Sequence, residues 1–300
     1  MIKVAWSPIY IHPLPDNHRF PMDKYDLLPK QLLHEGILTK ENFFRPNKID
    51  LEDVFAIHDK VYWEKLSALQ LTRQEQLRSG FPHSKELIER ELYITGGSLQ
   101  AAKYALEHGV AFNIAGGTHH SYADRAEGFC LLNDQAIASS YLLRNKLASK
   151  IVIIDLDVHQ GNGTAKIFEN EPRVFTFSMH GEHNYPLRKE KSDLDVGLPD
   201  GIIGLDYLAL LDQYLPKLMK EVKPDFIFYQ CGVDILETDK LGRLGVSIED
   251  CKRRDERVLQ FAHNADIPVM ASMGGGYSKE IKYIVEAHAN TYRVAKELWE

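Results

Sequence analysis

Cysteine is scarce in this 300-residue chain: Cys130, Cys231 and Cys251 are the only three, an odd number with no CxxC pair among them. A disulfide framework or a structural zinc cluster is therefore not expected, and a reducing compartment is. Cys130 and Cys231 read as small buried residues rather than nucleophiles. No apolar run approaches the ~20 residues of a membrane-spanning helix. The opening stretch, MIKVAWSPIYIHPLP, has no basic segment followed by a long apolar core. No secretory signal is thus expected, and the default location is cytoplasmic. Positive charge is in deficit, with 36 Lys and Arg against 43 Asp and Glu and a formal net charge of -7. That balance offers no general attraction to nucleic acid or anionic lipid. Repeats, low-complexity runs and Pro/Ser-rich linkers are missing as well, so one domain over residues 1–300 is the expected organisation.

What the chain does contain is an alternation of short apolar strands and longer amphipathic segments. The strand candidates are Ile2–Trp6, Val110–Asn113, Ile151–Asp155, Val174–Ser178, Phe226–Gln230 and Val269–Ser272. Between and after them lie helical patterns at Lys85–His108, Asp134–Leu147, Asp206–Val222, Ile248–Asn264 and Ser278–Leu298. Such alternation predicts an α/β fold, a parallel sheet covered by helices on both faces.

Five polar clusters directly follow predicted strands: NIAGGTHHSYADRAEGFCLLND (113–134), DLDVHQGNGT (155–164), SMHGEHNYP (178–186), QCGVDILETDKLG (230–242) and SMGGGYS (272–278). Ligands of open parallel sheets bind beyond the C-terminal ends of the strands. The five segments are therefore expected to meet on one rim.

Within the second cluster, Asp155, Asp157 and His159 recur at every second position. If the strand continues through them, they project to one side, and burying two carboxylates and an imidazole is costly without a partner. A third ligand would turn Asp157 and His159 into a catalytic metal site with one open position. Asp234, after the strand ending at Gln230, is the best candidate. Such a thiolate-free set could hold zinc, ferrous iron, cobalt or manganese. Asp155 would lie deeper, orienting a neighbour or holding a monovalent cation. His119 and His120, behind Gly116-Gly117, suit general acid–base work. Tyr277, behind Gly274-Gly275-Gly276, could donate a hydrogen bond to an oxyanion.

Taken together, the set HH, GFC, DxDxHxGNGT, GxD and GGGY resembles the zinc-dependent histone deacetylase family, in order and spacing from about residue 4 to residue 296. DLDVHQGNG and GVDILETDKLGRLGVS are similar to its class IV branch, which is associated with removal of fatty-acyl groups; His159-Gln160-Gly161 stands where many relatives read His-His-Gly. The resemblance implies a single-domain, three-layer arginase–deacetylase fold on a central, mostly parallel sheet of about eight strands. It implies zinc, with Fe2+ or Co2+ as substitutes, on Asp157, His159 and Asp234. His120 matches the general base. His119, held by Asp155, matches its charge-stabilising partner, and Tyr277 the group that polarises the acyl carbonyl. Asn162 stands where some relatives carry Asp, so it orients His120 without adding negative charge.

Gly128 and Phe129 match the wall of an acyl-lysine tunnel, Gly275 its inner end, Leu241 its floor and side, and Tyr185 a facing aromatic. A structural K+ would be held by Asp155, Asp157, His159, Ser178 and Met179; Phe168 and Val174 fit an outer K+ site loosely. Arg19 could gate an internal product channel or be a solvated charge. The mixed-sign run LRKEKSD (187–193) reads as a solvated loop, and His12, His18, His180 and His183 have no ligand spacing. The expected substrate is acyl-lysine in protein. Three rivals are a deacetylase of small acetylated amines such as polyamines, an arginase-like ureohydrolase, and a catalytically silent acyl-lysine reader. The ureohydrolase would need a further carboxylate where Leu236 sits; a silent reader would be expected to have lost a ligand, a histidine or the tyrosine.

Overall fold

The β-branched and aromatic runs form eight strands of one sheet in the computed structural model, which describes residues 1–300. They are β1 (Lys3–Ala5), β2 (Phe43–Phe44), β3 (Val110–Asn113), β4 (Ile151–Asp155), β5 (Val174–Gly181), β6 (Leu194–Leu198), β7 (Phe226–Gln230) and β8 (Val269–Ser272). Their spatial order is β2-β1-β3-β8-β7-β4-β5-β6, and every pairing is parallel. β3, β4, β7 and β8 are buried along their whole length, as strands covered on both faces must be.

All six expected strands are present. The two that sequence did not announce are the edge strands. β2 has only two residues, too few for a period to register. β6 carries Asp195 and Gly197, types depleted in strands, and exposes one side.

Ten helices accompany the sheet. The first six are α1 (Lys24–His34), α2 (Leu51–Phe55), α3 (Lys60–Ser67), α4 (Arg73–Ser79), α5 (Lys85–His108) and α6 (Asp134–Arg144). The remainder are α7 (Asn162–Phe168), α8 (Gly204–Val222), α9 (Ile248–Asn264) and α10 (Ile281–Trp299). α5 packs on α3, α6 and the strands β1, β3 and β8, while α1, α10, α9 and α8 pack one on the next. α5 begins where the Ser84 side chain accepts from Leu87 N–H at 3.1 Å, and it ends at Gly109, whose φ of 82° is natural for glycine. No helix is long and apolar enough to cross a membrane.

Register places the site. Asn113 lies opposite Ser272, Ser272 opposite Gln230, Gln230 opposite Asp155, and Asp155 opposite Ser178. β3, β8, β7 and β4 thus end together in a polar row from which four of the polar clusters leave, while β5 runs on past the expected Ser178 to Gly181 because β6 pairs with it there.

A candidate metal centre at the strand ends

β4 stops at Asp155, and residues 157–159 form a bend rather than continuing the strand. The alternation expected through Asp157 and His159 is therefore not what aims them. Asp155 Oδ1 accepts from Asp157 N–H at 3.2 Å, and Asp157 Oδ1 accepts from His159 N–H at 3.0 Å. Each carboxylate holds the backbone two residues on, which coils the chain into successive tight turns. Adjacency of β4 and β7 then delivers Asp234, whose Oδ1 accepts from Val158 N–H at 2.9 Å.

His159 Nδ1 lies 3.0 Å from Asp157 Oδ1 and 3.1 Å from Asp234 Oδ2. One donor atom from each of the three residues falls within 4.8 Å of the others, and all three residues are buried. A Cβ on Gly275 would sit 2.0 Å from Asp234 Oδ2, and one on Gly232 would sit 2.2 Å from Asp157 Oδ2. The carboxylates thus occupy space that only glycine leaves free. Burial, then the nearby Asp157 carboxylate, push Asp234 up to about 7. Two buried acids around one imidazole are poorly compensated by protein alone, and such an oxygen/nitrogen set fits a divalent cation.

The paired histidines stand beside this centre with ring centroids 4.1 Å apart. His119 Nδ1–H donates to Asp155 Oδ2 at 2.6 Å. Burial opposes its charge, yet Asp155 and Asp157 prevail and hold it up at about 9. His120 Nδ1–H donates to Asn162 Oδ1 at 2.6 Å. Burial, reinforced by His119 and His159, keeps its pKa well below the usual histidine range. The carboxylates thus favour the charged form of His119, while burial favours the neutral form of His120. Gly117 lets the turn before the pair pack on β7: its φ is 71°, and a Cβ there would meet Gln230 Oε1 at 2.0 Å.

The buried Tyr277 sets its ring 6.2 Å from that of His159. Burial and the two acids hold its hydroxyl well above the ordinary tyrosine value, so it remains a donor. Gly128, Phe129, His120, His159 and Tyr277 line both an inner cavity of about 40 Å³ and an outer cleft of about 470 Å³. Gly275 borders the inner one, and Tyr185 and Leu241 the outer. The Tyr185 ring stands edge-on to His120 at 5.0 Å.

Ser178 is level with Asp155 in the sheet, with Met179 buried beside it, and Ser178 Oγ lies 2.9 Å from His180 Nδ1. Val174 pairs with Ile151 at the far end of β4, and Phe168 closes α7, so neither joins this centre. Arg19 is exposed, with its guanidinium 5.2 Å over the Phe129 ring, and it lines the outer cleft. The arginine at the inner cavity is instead the buried Arg90, which donates to Tyr10 O and to Glu91 Oε1. His12, His18, His180 and His183 do not belong to the metal-ligand group.

The run 187–193 is not simply solvated. Gln160 Nε2 donates to Glu190 O at 2.7 Å, Glu190 N–H returns a bond to Gln160 Oε1 at 2.8 Å, and Asp193 Oδ2 accepts from Thr176. The two Gln160 bonds brace the loop carrying His159, and the Thr176 bond fastens the run to β5.

Three important side chains escaped the sequence reading. Lys24 is wholly buried on the face of α1 that includes Leu28 and Leu32, and Arg254 is wholly buried on α9 beside Cys251 and Val258. A cation at i, i+4 spacing on an apolar stripe was the available signal. Arg254 donates to the carbonyls of Leu156, Cys231 and Gly232 and pairs with Asp255 at 2.8 Å, tying the loops after β4 and β7 together. Glu127 is the third, and it had no sequence signal.

A histone deacetylase domain matches residues 18–292. An uncharacterized protein of Picosynechococcus sp. is 43% identical over 296 residues, 99% of either chain. Histone deacetylase 2 of Arabidopsis thaliana is 30% identical over 277 residues, 89% of this chain and 72% of that one. Human histone deacetylase 1 is 29% identical, and the match spans 82% of this chain but only 55% of that protein. In three dimensions, the crystal structure of the HDA15 HD domain superposes with a TM-score of 0.83 at 20% identity, over 98% of this chain and 90% of that one.

Proposed function

The chain belongs to the histone deacetylase family, and from that premise we propose that it hydrolyses the side-chain amide of acyl-lysine in proteins with a divalent metal ion held by Asp157, His159 and Asp234. The carrying observation is convergence: that donor set, His119, His120 and Tyr277 come from loops after four central strands, and all of them but the fully buried Asp234 line one cavity. Zinc is the favoured ion, with ferrous iron or cobalt as substitutes. Bound there, it would supply Lewis acidity, polarising an amide carbonyl and easing removal of a water proton at neutral pH.

The side chains divide the remaining work. Neutral His120 has Nδ1 occupied by Asn162, so its other nitrogen accepts the proton of the attacking water. His119, charged against Asp155, stabilises the negative charge that develops and stands ready to protonate the departing amine. Tyr277 donates to the carbonyl oxygen as it becomes an oxyanion. Gly128, Phe129 and Tyr185 flank the aliphatic stem, Leu241 borders the outer cleft, and Gly275 borders the acyl end. Asp155 and Ser178, level in the sheet, together with Asp157, His159 and Met179, are our candidates for a structural K+.

Two features bear on substrate. The outer cleft is lined by Arg19, Arg78 and Arg243 and by no carboxylate, although Arg243 and His183 both reach Asp200. A cationic polyamine would be repelled there, which favours an uncharged acyl-lysine within a polypeptide. The inner cavity of about 40 Å³ suits a short acyl group. The fatty-acyl preference suggested by the class IV likeness would need more room than this cavity, which Phe20, Phe81 and Phe129 help to line.

Turnover of acyl-lysine peptides of increasing acyl length, alongside an acetylated polyamine, tests this reading on metal-loaded enzyme. Acetyl-lysine peptide should give the highest kcat/KM. A higher value for the polyamine would replace the protein substrate, and no turnover of anything would favour a binding module.

A further inference from the structure

We propose that Glu127 is a positioning residue for His120: it dictates which way round the Asn162 amide stands and, through that amide, which ring nitrogen of His120 carries the proton. The proposal rests on the reading of His120 as the base. Asn162 Oδ1 accepts from His120 Nδ1 at 2.6 Å. A carboxamide has an acceptor at one end and donors at the other, so Asn alone does not decide which end faces the ring.

Its surroundings decide. Asn162 Nδ2 donates to Glu127 Oε1 at 3.1 Å and to the Tyr122 hydroxyl at 3.0 Å. Tyr122 in turn donates its own hydrogen to Glu190 Oε1 at 3.0 Å, which leaves its oxygen as the acceptor. A carboxylate accepts and never donates, so Glu127 tolerates the amide's NH2 and repels its oxygen. Oδ1 must then face His120, Nδ1 must hold the hydrogen, and the far nitrogen keeps its lone pair for the water. Turning the amide over would set oxygen against carboxylate and move the ring proton to the nitrogen that has to be free.

Glu127 is itself anchored. Tyr185 donates to Oε1 at 2.5 Å, Arg125 Nε to Oε2 at 3.4 Å, and its backbone exchanges bonds with Cys130 at 3.0 and 2.9 Å. The negative charge that Asn162 does not supply is thus present one side chain further out, and the same carboxylate steadies the Tyr185 wall of the cleft.

The test uses Glu127→Met, Asn162→Asp and the double variant on metal-loaded enzyme. Glu127→Met removes the acceptor and frees the amide to turn. Asn162→Asp alone sets two carboxylates about as close as the present 3.1 Å contact. In the double variant that repulsion is gone, and an aspartate has no donor end to turn toward the ring. Each single change should lower kcat about tenfold or more, and the double should recover kcat to within about threefold of wild type; KM should rise in both variants that lack Glu127, because the Tyr185 hydroxyl loses its acceptor there. Losses that add in the double, or singles with wild-type kcat, would overturn the proposal. Tyr185→Phe, which spares the Glu127–Asn162 contact, should raise KM rather than lower kcat. Imidazole 15N shifts give a reading independent of activity: His120 should be the Nδ1–H tautomer in wild type and a mixture in Glu127→Met. An unchanged tautomer sinks the role of Glu127 even if no acyl-lysine peptide turns over, whereas a wild type without turnover sinks only the substrate reading.

Discussion

Lys24 donates from Nζ to the carbonyl of Gly274 at 2.9 Å, from a position with no solvent exposure. The rings of Phe20, Tyr25 and Tyr277 surround the amine at 5.1, 5.5 and 5.6 Å. Burial draws its pKa down to about 8, against the pull of Asp234, Asp157 and Asp239. The bond ties the start of α1 to the glycine turn whose next residue, Gly275, donates to Asp157 Oδ2 at 2.9 Å.

Lys24→Met keeps most of the side-chain length and leaves that carbonyl unpartnered. Stability should fall by roughly 1–3 kcal/mol, the usual cost of an orphaned buried acceptor. Chemical denaturation measures it, and kcat should fall with it because Tyr277 ends the same turn. Unchanged stability and kcat would mean that the turn is held by other contacts.

Asp157→Ala, His159→Ala and Asp234→Ala should each abolish metal retention along with nearly all activity. Plasma emission analysis of the purified variants checks this directly. A full equivalent of metal in Asp234→Ala would remove Asp234 from the ligand set. A hydroxamate, which chelates such a centre, should inhibit wild type.

Tyr277→Phe deletes one hydroxyl and leaves the ring packed against Phe20 and Phe129. Loss of one oxyanion donor typically costs about 10²–10³ in kcat. Metal content and peptide affinity should hold, since the bond strengthens only as charge develops. Wild-type turnover with metal retained would assign the hydroxyl no part in the reaction.

His58 is buried, and its Nε2 accepts from Asn133 N–H at 2.9 Å. Burial depresses its pKa from 6.5 to about 4. The unfolded chain therefore binds a proton below about pH 6.5 while the folded chain does not until about pH 4, so stability is lost as pH falls through that window. The loss attributable to His58 is on the order of 3 kcal/mol. Denaturation midpoints at pH 7 and pH 4.5 should converge in His58→Gln relative to wild type; an equal drop in both would mean that His58 contributes nothing to the slope.

Much of the fold and the candidate centre was legible beforehand. Central strands β4 and β7 announce themselves because burial on both faces demands unbroken apolar runs. Asp157, His159 and Asp234 stood out because acids and imidazole immediately after such strands violate the pattern. Glu127 was illegible: a glutamate in a loop is ordinary until Asn162 and Tyr185 are seen to converge on its Oε1. Lys24 and Arg254 carried a signal, a cation on an apolar helix stripe, whose partners lie 250 and 22–98 residues away.

By itself, then, the sequence determined six of the eight strands, five of the ten helices, the polar clusters and the kinds of donor available, because period and composition are local properties. Its motifs also carried the likeness to the histone deacetylase family, which the domain match over residues 18–292 supports. Only the tertiary structure decided that β7 and β8 insert between β3 and β4. That order, not the strand alternation, brings Asp234 and the Tyr277 turn to Asp157 and His159. The hand of the Asn162 amide was likewise decided only there, because an amide has no preferred end until its neighbours are in place.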